Sequence, residues 1–215
     1  MERTEPNFRP SKIVCVGKNY HEHAAELGGT VPDQPIIFLK PPSSVIASGE
    51  PIVAPSDVGE VHYEGEIAIR ISKMARHVSE AEAWNVVEGV LPLNDVTARD
   101  IQRKDGQWSR AKSFDTFCPI GSVVPIALEE LPSLTLITRV NGEERQRTQA
   151  SDMVFPVPFL ISFITRVMTL EPGDIVATGT PEGVGPLKLG DEVEVEISSV
   201  GTLRNPVEGE GNIGS

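Results

Sequence analysis

Short apolar segments, separated by proline and glycine, recur along the whole chain. Four mostly apolar segments have the length of a strand and are bounded by turn residues, which is typical of buried β-strands: 12–16, 36–39, 90–93 and 175–178. The 215 residues include 18 prolines and 19 glycines, which favours short elements and many turns. The sequence therefore predicts a fold rich in strands and loops.

Two segments alternate between apolar residues and residues that are mostly charged. In 64–71 the odd positions are glycine or isoleucine, whereas the even positions include Glu64, Glu66 and Arg70. In 192–197 glutamate alternates with valine and isoleucine. Successive side chains of a strand point to opposite faces, so we expect the apolar side to pack and the acids to lie on the other side.

A β-hairpin is predicted around Asn141-Gly142. The segments 134–140 and 143–148 flank this dipeptide. Asn and Gly both tolerate the positive φ angles of a type I′ turn, so the pair is a strong hairpin signal.

Helical patterns are few and short. They predict helices at 19–27, 79–87, 97–104 and 158–168. Gly28-Gly29 ends the first helix, and Ser79 with Glu82 forms a capping-box pattern at the start of the second. If the third helix includes Asp95 in its first turn, Asp95, Arg99 and Gln102 form one polar stripe.

The length fits one domain with a sizeable core. We predict an N-terminal arm over 1–11, a single catalytic domain over 12–207 and a flexible C-terminal tail over 208–215.

Composition excludes several partners. The net charge of −12 opposes binding to nucleic acid, and no cluster of basic residues offsets it. No run of about 18 apolar residues suggests a membrane span, and no signal peptide is evident. Two cysteines, Cys15 and Cys118, do not suggest a disulfide scaffold. A reducing, cytoplasmic location is expected.

Three carboxylates are candidates for a metal site. Glu64 and Glu66 are one residue apart on a predicted strand, and Asp95 follows another strand. Oxygen-only ligands select hard cations such as Mg²⁺, Mn²⁺ or Ca²⁺. Taken singly, the two glutamates also fit the solvent side of an amphipathic strand, and Asp95 also fits a helix N-cap.

Two more motifs have both a structural and a chemical interpretation. His23 and Glu26 are three residues apart and would share a helix face, either as a surface hydrogen bond or as a catalytic pair. The glycine-rich segment 179–186 lacks the Gly-Lys-Ser/Thr ending of a phosphate-binding loop, but it follows a strand and could contact a ligand.

Taken together, the motifs resemble those of the fumarylacetoacetate hydrolase family, particularly its small single-domain branch of acylpyruvate hydrolases and oxaloacetate decarboxylases or tautomerases. The segments that carry the resemblance are 13–20 with His23, 38–41, 62–66, 95–102, 111–115 and 179–186. The larger family members add an aspartate ligand just upstream of the histidine, where this chain reads Asn19-Tyr20-His21-Glu22. Three protein ligands are therefore expected.

The resemblance implies an α+β fold that is predominantly β, a rolled mixed sheet or barrel-like sandwich with short peripheral helices, usually in a homodimer. It implies Mg²⁺ or Mn²⁺, with Ca²⁺ as a possible substitute, held by Glu64, Glu66 and Asp95.

By the same resemblance, His23 and Glu26 form a water-activating dyad and Lys112 supplies positive charge to the reaction. Substrate contacts are assigned to Arg99, Gln102, Lys112 and Thr180.

The implied substrates are small 2-oxo acids. Such an acid chelates a hard cation through its carboxylate and 2-oxo oxygens, and the cation stabilises the enolate formed when the next carbon loses a substituent. Hydrolysis of an acylpyruvate, of the fumarylpyruvate or acetylpyruvate type, is the leading prediction. Oxaloacetate decarboxylation or keto–enol tautomerisation is the alternative. A catalytically silent metal or 2-oxo-acid binding protein and a purely structural subunit are the competing classes.

Overall fold

The computed structural model describes residues 9–26 and 28–211. Most of the predicted N-terminal arm (1–8) and the end of the predicted tail (212–215) lie outside the described residues, as does residue 27 in the first predicted helix. Over the described ranges the chain is mostly strand with short helices, so the predicted fold class is confirmed.

The described residues form fifteen strands, four α-helices and four 3₁₀ helices. The strands are β1 (Ile13–Gly17), β2 (Ile36–Lys40), β3 (Val45–Ile46), β4 (Ile52–Ala54), β5 (Val61–Tyr63), β6 (Gly65–Ile71), β7 (Val87–Asn94), β8 (Thr97–Ala98), β9 (Cys118–Pro119), β10 (Thr135–Val140), β11 (Glu143–Gln149), β12 (Ile175–Ala177), β13 (Gly185–Pro186), β14 (Glu192–Ile197) and β15 (Gly201–Gly209). The α-helices are α1 (His21–Glu26), α2 (Arg99–Asp105), α3 (Ser109–Lys112) and α4 (Val157–Val167). The 3₁₀ helices are Pro42–Ser44, Glu80–Val86, Leu128–Ser133 and Ala150–Asp152.

A mixed five-stranded sheet carries most of the candidate site. Its strand order is β2-β1-β12-β6-β7, with β1 parallel to β12 and the other neighbours antiparallel. β6 and β7 are adjacent in the chain and in the sheet, and Gly65 is paired with Asn94. This register brings residues 64–66 beside residues 93–95, so the two predicted acidic segments meet at one end of the sheet.

A second five-stranded sheet has the order β11-β10-β14-β15-β4. The predicted hairpin is confirmed: β10 and β11 pair antiparallel around Asn141 and Gly142, whose φ angles are 53° and 80°. Neither five-stranded sheet closes on itself within the described chain, so the predicted barrel-like form is an open arrangement of sheets.

Both faces of β6 are buried, which excludes the alternative interpretation of Glu64 and Glu66 as the solvent side of an amphipathic strand. Ile67, Ile69 and Ile71 pack in one apolar cluster with α4 and the second sheet. Ala68, on the opposite face, packs in another cluster with Ile13 and Leu91. Alternation of apolar and polar residues along a strand predicts a solvent-exposed face only when no other layer of the structure covers that face.

Two predicted helices differ from the observed elements. The segment opened by Ser79 is a 3₁₀ helix, and the predicted capping box is incomplete: the Ser79 hydroxyl donates to the Glu82 carboxylate (2.7 Å) and forms no side-chain cap to the backbone. The helix predicted over 97–104 begins only at Arg99, since Thr97 and Ala98 pair with β5 as strand β8.

No helix among the described residues has the length and apolarity needed to cross a membrane.

The C-terminal strand continues beyond the predicted boundary at Val207. Glu208 and Gly209 pair with Val53 and Ala54 of β4 in parallel register. The backbone hydrogen bonds of this pairing hold the first two residues of the predicted tail in the second sheet.

Asp174 joins the two residues just before β1 to the turn before β12. Its buried carboxylate accepts hydrogen bonds from Ser11 N (3.0 Å), Ser11 Oγ (2.7 Å), Lys12 N (3.1 Å) and Glu171 N (2.8 Å), and it pairs with the Lys12 ammonium. Burial alone would raise the pKa of Asp174, but these donors outweigh it and hold the pKa below its usual value of 3.8. The ionised carboxylate therefore stabilises the parallel β1–β12 pair.

We predict that Asp174→Asn lowers the free energy of unfolding by about 2–4 kcal/mol at neutral pH, because charged hydrogen bonds are lost in a buried position. Because the folded pKa is depressed, this advantage of the wild type is present above about pH 4 and is lost as the pH falls through the folded pKa. Urea unfolding of both proteins from neutral to acidic pH measures it.

The exposed Asp57 provides the control, since Asp57→Asn removes a carboxylate that accepts no hydrogen bond from the residues the structure describes. A wild-type advantage over Asp174→Asn that stays constant with pH would contradict the assignment.

Candidate metal and substrate site

Three buried carboxylates meet where β6 begins and β7 ends. Glu64 precedes β6, Glu66 lies within it and Asp95 follows β7. The exposed fractions are 4% for Glu64, 1% for Glu66 and 0% for Asp95. One oxygen of each lies within 4.8 Å of the others. The backbone fixes this approach, because Asp95 N donates to Glu64 O (2.8 Å) and Glu64 N donates to Asn94 Oδ1 (2.9 Å).

Two predicted substrate-binding cations contact these carboxylates. Lys112 Nζ donates to Glu64 Oε2 and to Asp95 Oδ2, both at 2.6 Å. Arg99 donates to Glu64 Oε1 at 2.5 Å. Burial opposes the charge on Lys112, but Asp95 and Glu64 outweigh it and raise its pKa to about 12. Burial would raise the pKa of Glu64, yet Lys112 and Arg99 hold it well below its usual range.

Lys40 is a third buried cation, and no sequence motif predicted a role for it. Its Nζ donates to Asp95 Oδ1 (2.6 Å) and to Val96 O (3.2 Å), and the residue is 1% exposed. A lysine that ends an apolar strand is the signal that was available, because a fully buried lysine requires a partner.

Glu66 differs from the other two acids because no lysine or arginine in the described chain pairs with it. Its Oε2 accepts a hydrogen bond from Gly179 N at 2.8 Å. Burial, followed by the charge of Asp95, raises the pKa of Glu66 well above its usual value, and Lys112 only partly offsets this. Of the three acids, Glu66 is therefore the one whose ionised form an additional positive charge would stabilise most.

The donor set fits a hard divalent cation. It consists of carboxylate oxygens only, it is buried, and Glu66 lacks a positive partner among the described residues. Mg²⁺ and Mn²⁺ commonly bind through a few carboxylates, with water or substrate oxygens as the other ligands. Glu64, Glu66 and Asp95 would hold such an ion.

A narrow cleft leads to the carboxylates. Phe38 and Trp108 form an aromatic part of its lining, with ring centroids 5.2 Å apart in an edge-to-face arrangement. A Cβ on Gly17 would overlap the Trp108 ring, so glycine is needed there. The predicted residues that line this cleft are His23, Glu64, Glu66, Asp95, Arg99, Gln102, Lys112 and Thr180.

His23 and Glu26 form the predicted pair. His23 is 4% exposed, and its Nδ1 lies 3.2 Å from Glu26 Oε2. A carboxylate can only accept, so Nδ1 carries the hydrogen and Nε2 is the atom available for proton transfer. Glu26 is held in turn by Gly183 N, which donates to its Oε1 at 3.1 Å. The glycine-rich segment thus positions the dyad.

Gln102 and Thr180, the two remaining residues predicted to contact the substrate, also form hydrogen bonds within the protein. Gln102 Oε1 accepts a hydrogen bond from Arg99 Nη1, which leaves the Gln102 amide hydrogens for a ligand. The Thr180 hydroxyl donates to Gly65 O (2.8 Å) and accepts from Gln146 Nε2 (2.8 Å). Thr180 therefore fixes the backbone between the two glutamates as well as lining the cleft.

Asp95 does not share a helix with Arg99 and Gln102, contrary to the predicted stripe. It lies in the connection between β7 and β8, where Thr97 Oγ1 donates to Asp95 O at 2.8 Å. The three side chains reach the same cleft because β8 turns the chain back and α2 begins at Arg99.

A family model described as fumarylacetoacetate (FAA) hydrolase C-terminal matches residues 12–208. The chain belongs to the fumarylacetoacetate hydrolase family. The predicted family membership is thereby confirmed, and the matched segment contains every residue of the site described above.

Relatives and solved structures in this family have several names. The chain is 45% identical to the mitochondrial oxaloacetate tautomerase FAHD1 of Arabidopsis thaliana, over 92% of this chain and 91% of that protein. It is 42% identical to the oxaloacetate tautomerase YisK of Bacillus subtilis, over 94% and 71% of the two chains. Fumarylpyruvate hydrolase from Pseudomonas aeruginosa, solved with Mn²⁺ and pyruvate, is similar with a TM-score of 0.88 and 32% identity, over 98% and 94%.

Paired glutamine variants test the unequal roles of the two glutamates. In metal-free protein, Glu64→Gln should lower the free energy of unfolding by about 3 kcal/mol, since Lys112 and Arg99 each lose a charged partner in a buried position. Glu66→Gln should leave the stability unchanged or higher, because it removes an acid that is buried without a cationic partner. Urea unfolding after chelator treatment measures both.

Adding Mg²⁺ or Mn²⁺ should raise the melting temperature of the wild type, and this rise should be absent in Glu66→Gln. A stabilisation by the cation that is equal in the wild type and Glu66→Gln would contradict the proposed ligand set.

Proposed function

We propose that this protein is a divalent-cation-dependent enzyme of small 2-oxo acids, and that its reaction is the keto–enol tautomerisation of oxaloacetate. The observation that carries the proposal is the buried carboxylate triad in one cleft with a histidine–glutamate pair. The two relatives named oxaloacetate tautomerase, at 45% and 42% identity, favour this reaction over the others predicted from the sequence.

The reaction needs a group that both takes and delivers a proton. Conversion of the enol to the keto form removes the hydrogen of the enol hydroxyl and adds one hydrogen at C3, so no atom is gained or lost. His23 can do this through Nε2, while Glu26 holds Nδ1–H and stabilises the imidazolium that forms.

The other groups of the cleft bind and orient the substrate. The amide of Gln102 and the guanidinium of Arg99 offer hydrogen-bond donors to its oxygens, and Phe38 and Trp108 shield one side of the cleft from water. A bound divalent cation would supply stabilisation of negative charge on the 2-oxo oxygen. Lys112 and Arg99 keep Glu64 ionised, so that it is ready to act as a ligand.

Hydrolysis of an acylpyruvate is the second candidate, and the fumarylpyruvate hydrolase similarity favours it. In that reaction His23 would take a proton from water as the oxygen attacks the distal carbonyl, and the carbon–carbon bond would break. The proton would return to the carbon that leaves with the pyruvate half. The same dyad serves both reactions, so substrate turnover must separate them.

His23→Ala should lower kcat for oxaloacetate tautomerisation by about 10²- to 10⁴-fold, the usual contribution of a general acid–base group. The loss of enol absorbance, followed with Mg²⁺ or Mn²⁺ present, measures this. His21→Ala is the matched control, because His21 lies on the same helix and is exposed. The cation-dependent rise in melting temperature should persist in both variants.

Turnover rates measured under the same conditions rank the candidate reactions. They are the hydrolysis of acetylpyruvate, the hydrolysis of fumarylpyruvate and the decarboxylation of oxaloacetate. A faster turnover of fumarylpyruvate than of enol oxaloacetate would favour the hydrolase. Cation binding without turnover of any of these compounds would contradict the proposal and favour a silent binding protein.

A further inference from the structure

Lys18 lines the same cleft and has no part in the proposed proton transfer. It follows the last residue of β1, and its side chain is half-buried. Within the described ranges no hydrogen bond or ion pair involves Lys18, whereas Arg99 and Lys112 both contact carboxylates of the triad. Lys18 is thus the cleft-lining cation whose charge the described protein does not neutralise.

The backbone holds Lys18 in an unusual conformation. Its φ angle is 58°, in the left-handed region that residues with a Cβ seldom adopt. Such conformations persist where the surroundings enforce them, and they are frequent at functional sites. The positive φ turns the chain from β1 towards α1 and places Lys18 at the cleft rather than in the sheet.

Both neighbours of Lys18 are fixed in place. The Trp108 ring packs where a Cβ of Gly17 would lie. Asn19 donates through Nδ2 to Thr178 O (2.8 Å) and to Phe155 O (3.1 Å), and its Oδ1 accepts from Phe155 N (2.7 Å). The base of the Lys18 side chain is therefore anchored on both sides, which lowers the cost of ordering it around a ligand.

The ammonium of Lys18 reaches the turn after α1. A Cβ on Gly29 would lie 3.2 Å from Lys18 Nζ, so the ammonium lies close to this glycine. The absence of a side chain at Gly29 leaves space beside the charge on the side of the cleft that carries the His23 helix.

The charges of the site favour a doubly negative ligand. With a cation bound and all three acids ionised, the charges of Glu64, Glu66 and Asp95 are matched by those of the buried Lys40, Arg99 and Lys112. A divalent cation on the triad and the unpaired Lys18 would leave an excess of positive charge. One carboxylate of a 2-oxo acid offsets part of this excess, and a second carboxylate offsets more of it.

We propose that Lys18 binds the second carboxylate of a 2-oxo dicarboxylic acid and thereby selects dicarboxylates over 2-oxo monocarboxylates. This inference rests on the proposed function, because the first carboxylate and the oxo group are assigned to the triad end of the cleft. Lys18 is a specificity residue in this account and takes no part in proton transfer.

Binding measurements test the inference without turnover. Mg²⁺-loaded His23→Ala protein, in which proton transfer is blocked, is titrated with oxaloacetate and with 2-oxobutyrate, which has a methyl group in place of the second carboxylate. Oxaloacetate should bind at least about 10-fold more tightly. Lys18→Met in this background should remove the preference by weakening oxaloacetate alone, and Lys18→Arg should retain it.

Kinetics with the otherwise unchanged enzyme provide a second readout. Lys18→Met should raise KM for oxaloacetate by about 10-fold or more and leave kcat within about 3-fold, since the lost contact is made equally in the ground state and transition state. The inhibition constant of oxalate, which has no distal carboxylate, should not change. Lys73→Met, which removes an exposed lysine outside the cleft, controls for net charge.

Two results would overturn the inference. One is that the His23→Ala protein, which retains Lys18, binds oxaloacetate no more tightly than 2-oxobutyrate. The other is that Lys18→Met weakens the binding of both compounds equally. If the dicarboxylate preference depends on Lys18 but the wild type turns over no 2-oxo acid, the binding role stands and the proposed reaction fails.

Discussion

Three carboxylates can share one buried volume only if positive charge lies close to them. In this protein Lys40, Arg99 and Lys112 supply it, and together they contact all four carboxylate oxygens of Glu64 and Asp95. Burial of an ion pair costs several kcal/mol per ion in desolvation, so such a cluster is weak evidence for stability by itself. It is stronger evidence that the fold maintains ionised acids in a position where a cation and its ligands can use them.

The scaffold builds this cluster from strand ends. The β6–β7 register places the two glutamates beside Asp95, and the β1–β12 pair brings in Asn19 and the glycine-rich segment from distant parts of the chain. Gly179 N donates to Glu66, and Thr180 holds the carbonyl of Gly65 between the glutamates. The apolar clusters on both faces of the first sheet keep these contacts away from water. Charge interactions are stronger there than they would be in water.

Local patterns predicted much of the fold, and their failures have physical causes. The Asn141-Gly142 hairpin was predictable because its turn chemistry is contained in two residues. The burial of Glu66 was not, because alternation along one strand does not show whether a second layer covers the acidic face. The candidate site was predicted by combining acid spacing with family resemblance. Lys40 was missed because its partner, Asp95, lies 55 residues away in the chain. Lys18 was missed because a free cation leaves no pattern in the sequence.

The central claim is that Glu64, Glu66 and Asp95 together bind one divalent cation, with Lys112 and Arg99 remaining beside it. Anomalous diffraction from crystals grown with Mn²⁺ and oxalate tests this most directly. We predict one strong peak in contact with all three carboxylates and with oxalate, and an ordered Lys112 ammonium next to it. The opposite result would be no anomalous peak at the three carboxylates, unchanged contacts of Lys112 and Arg99 with them, and Mn²⁺ bound elsewhere. That result would contradict the proposed cation site.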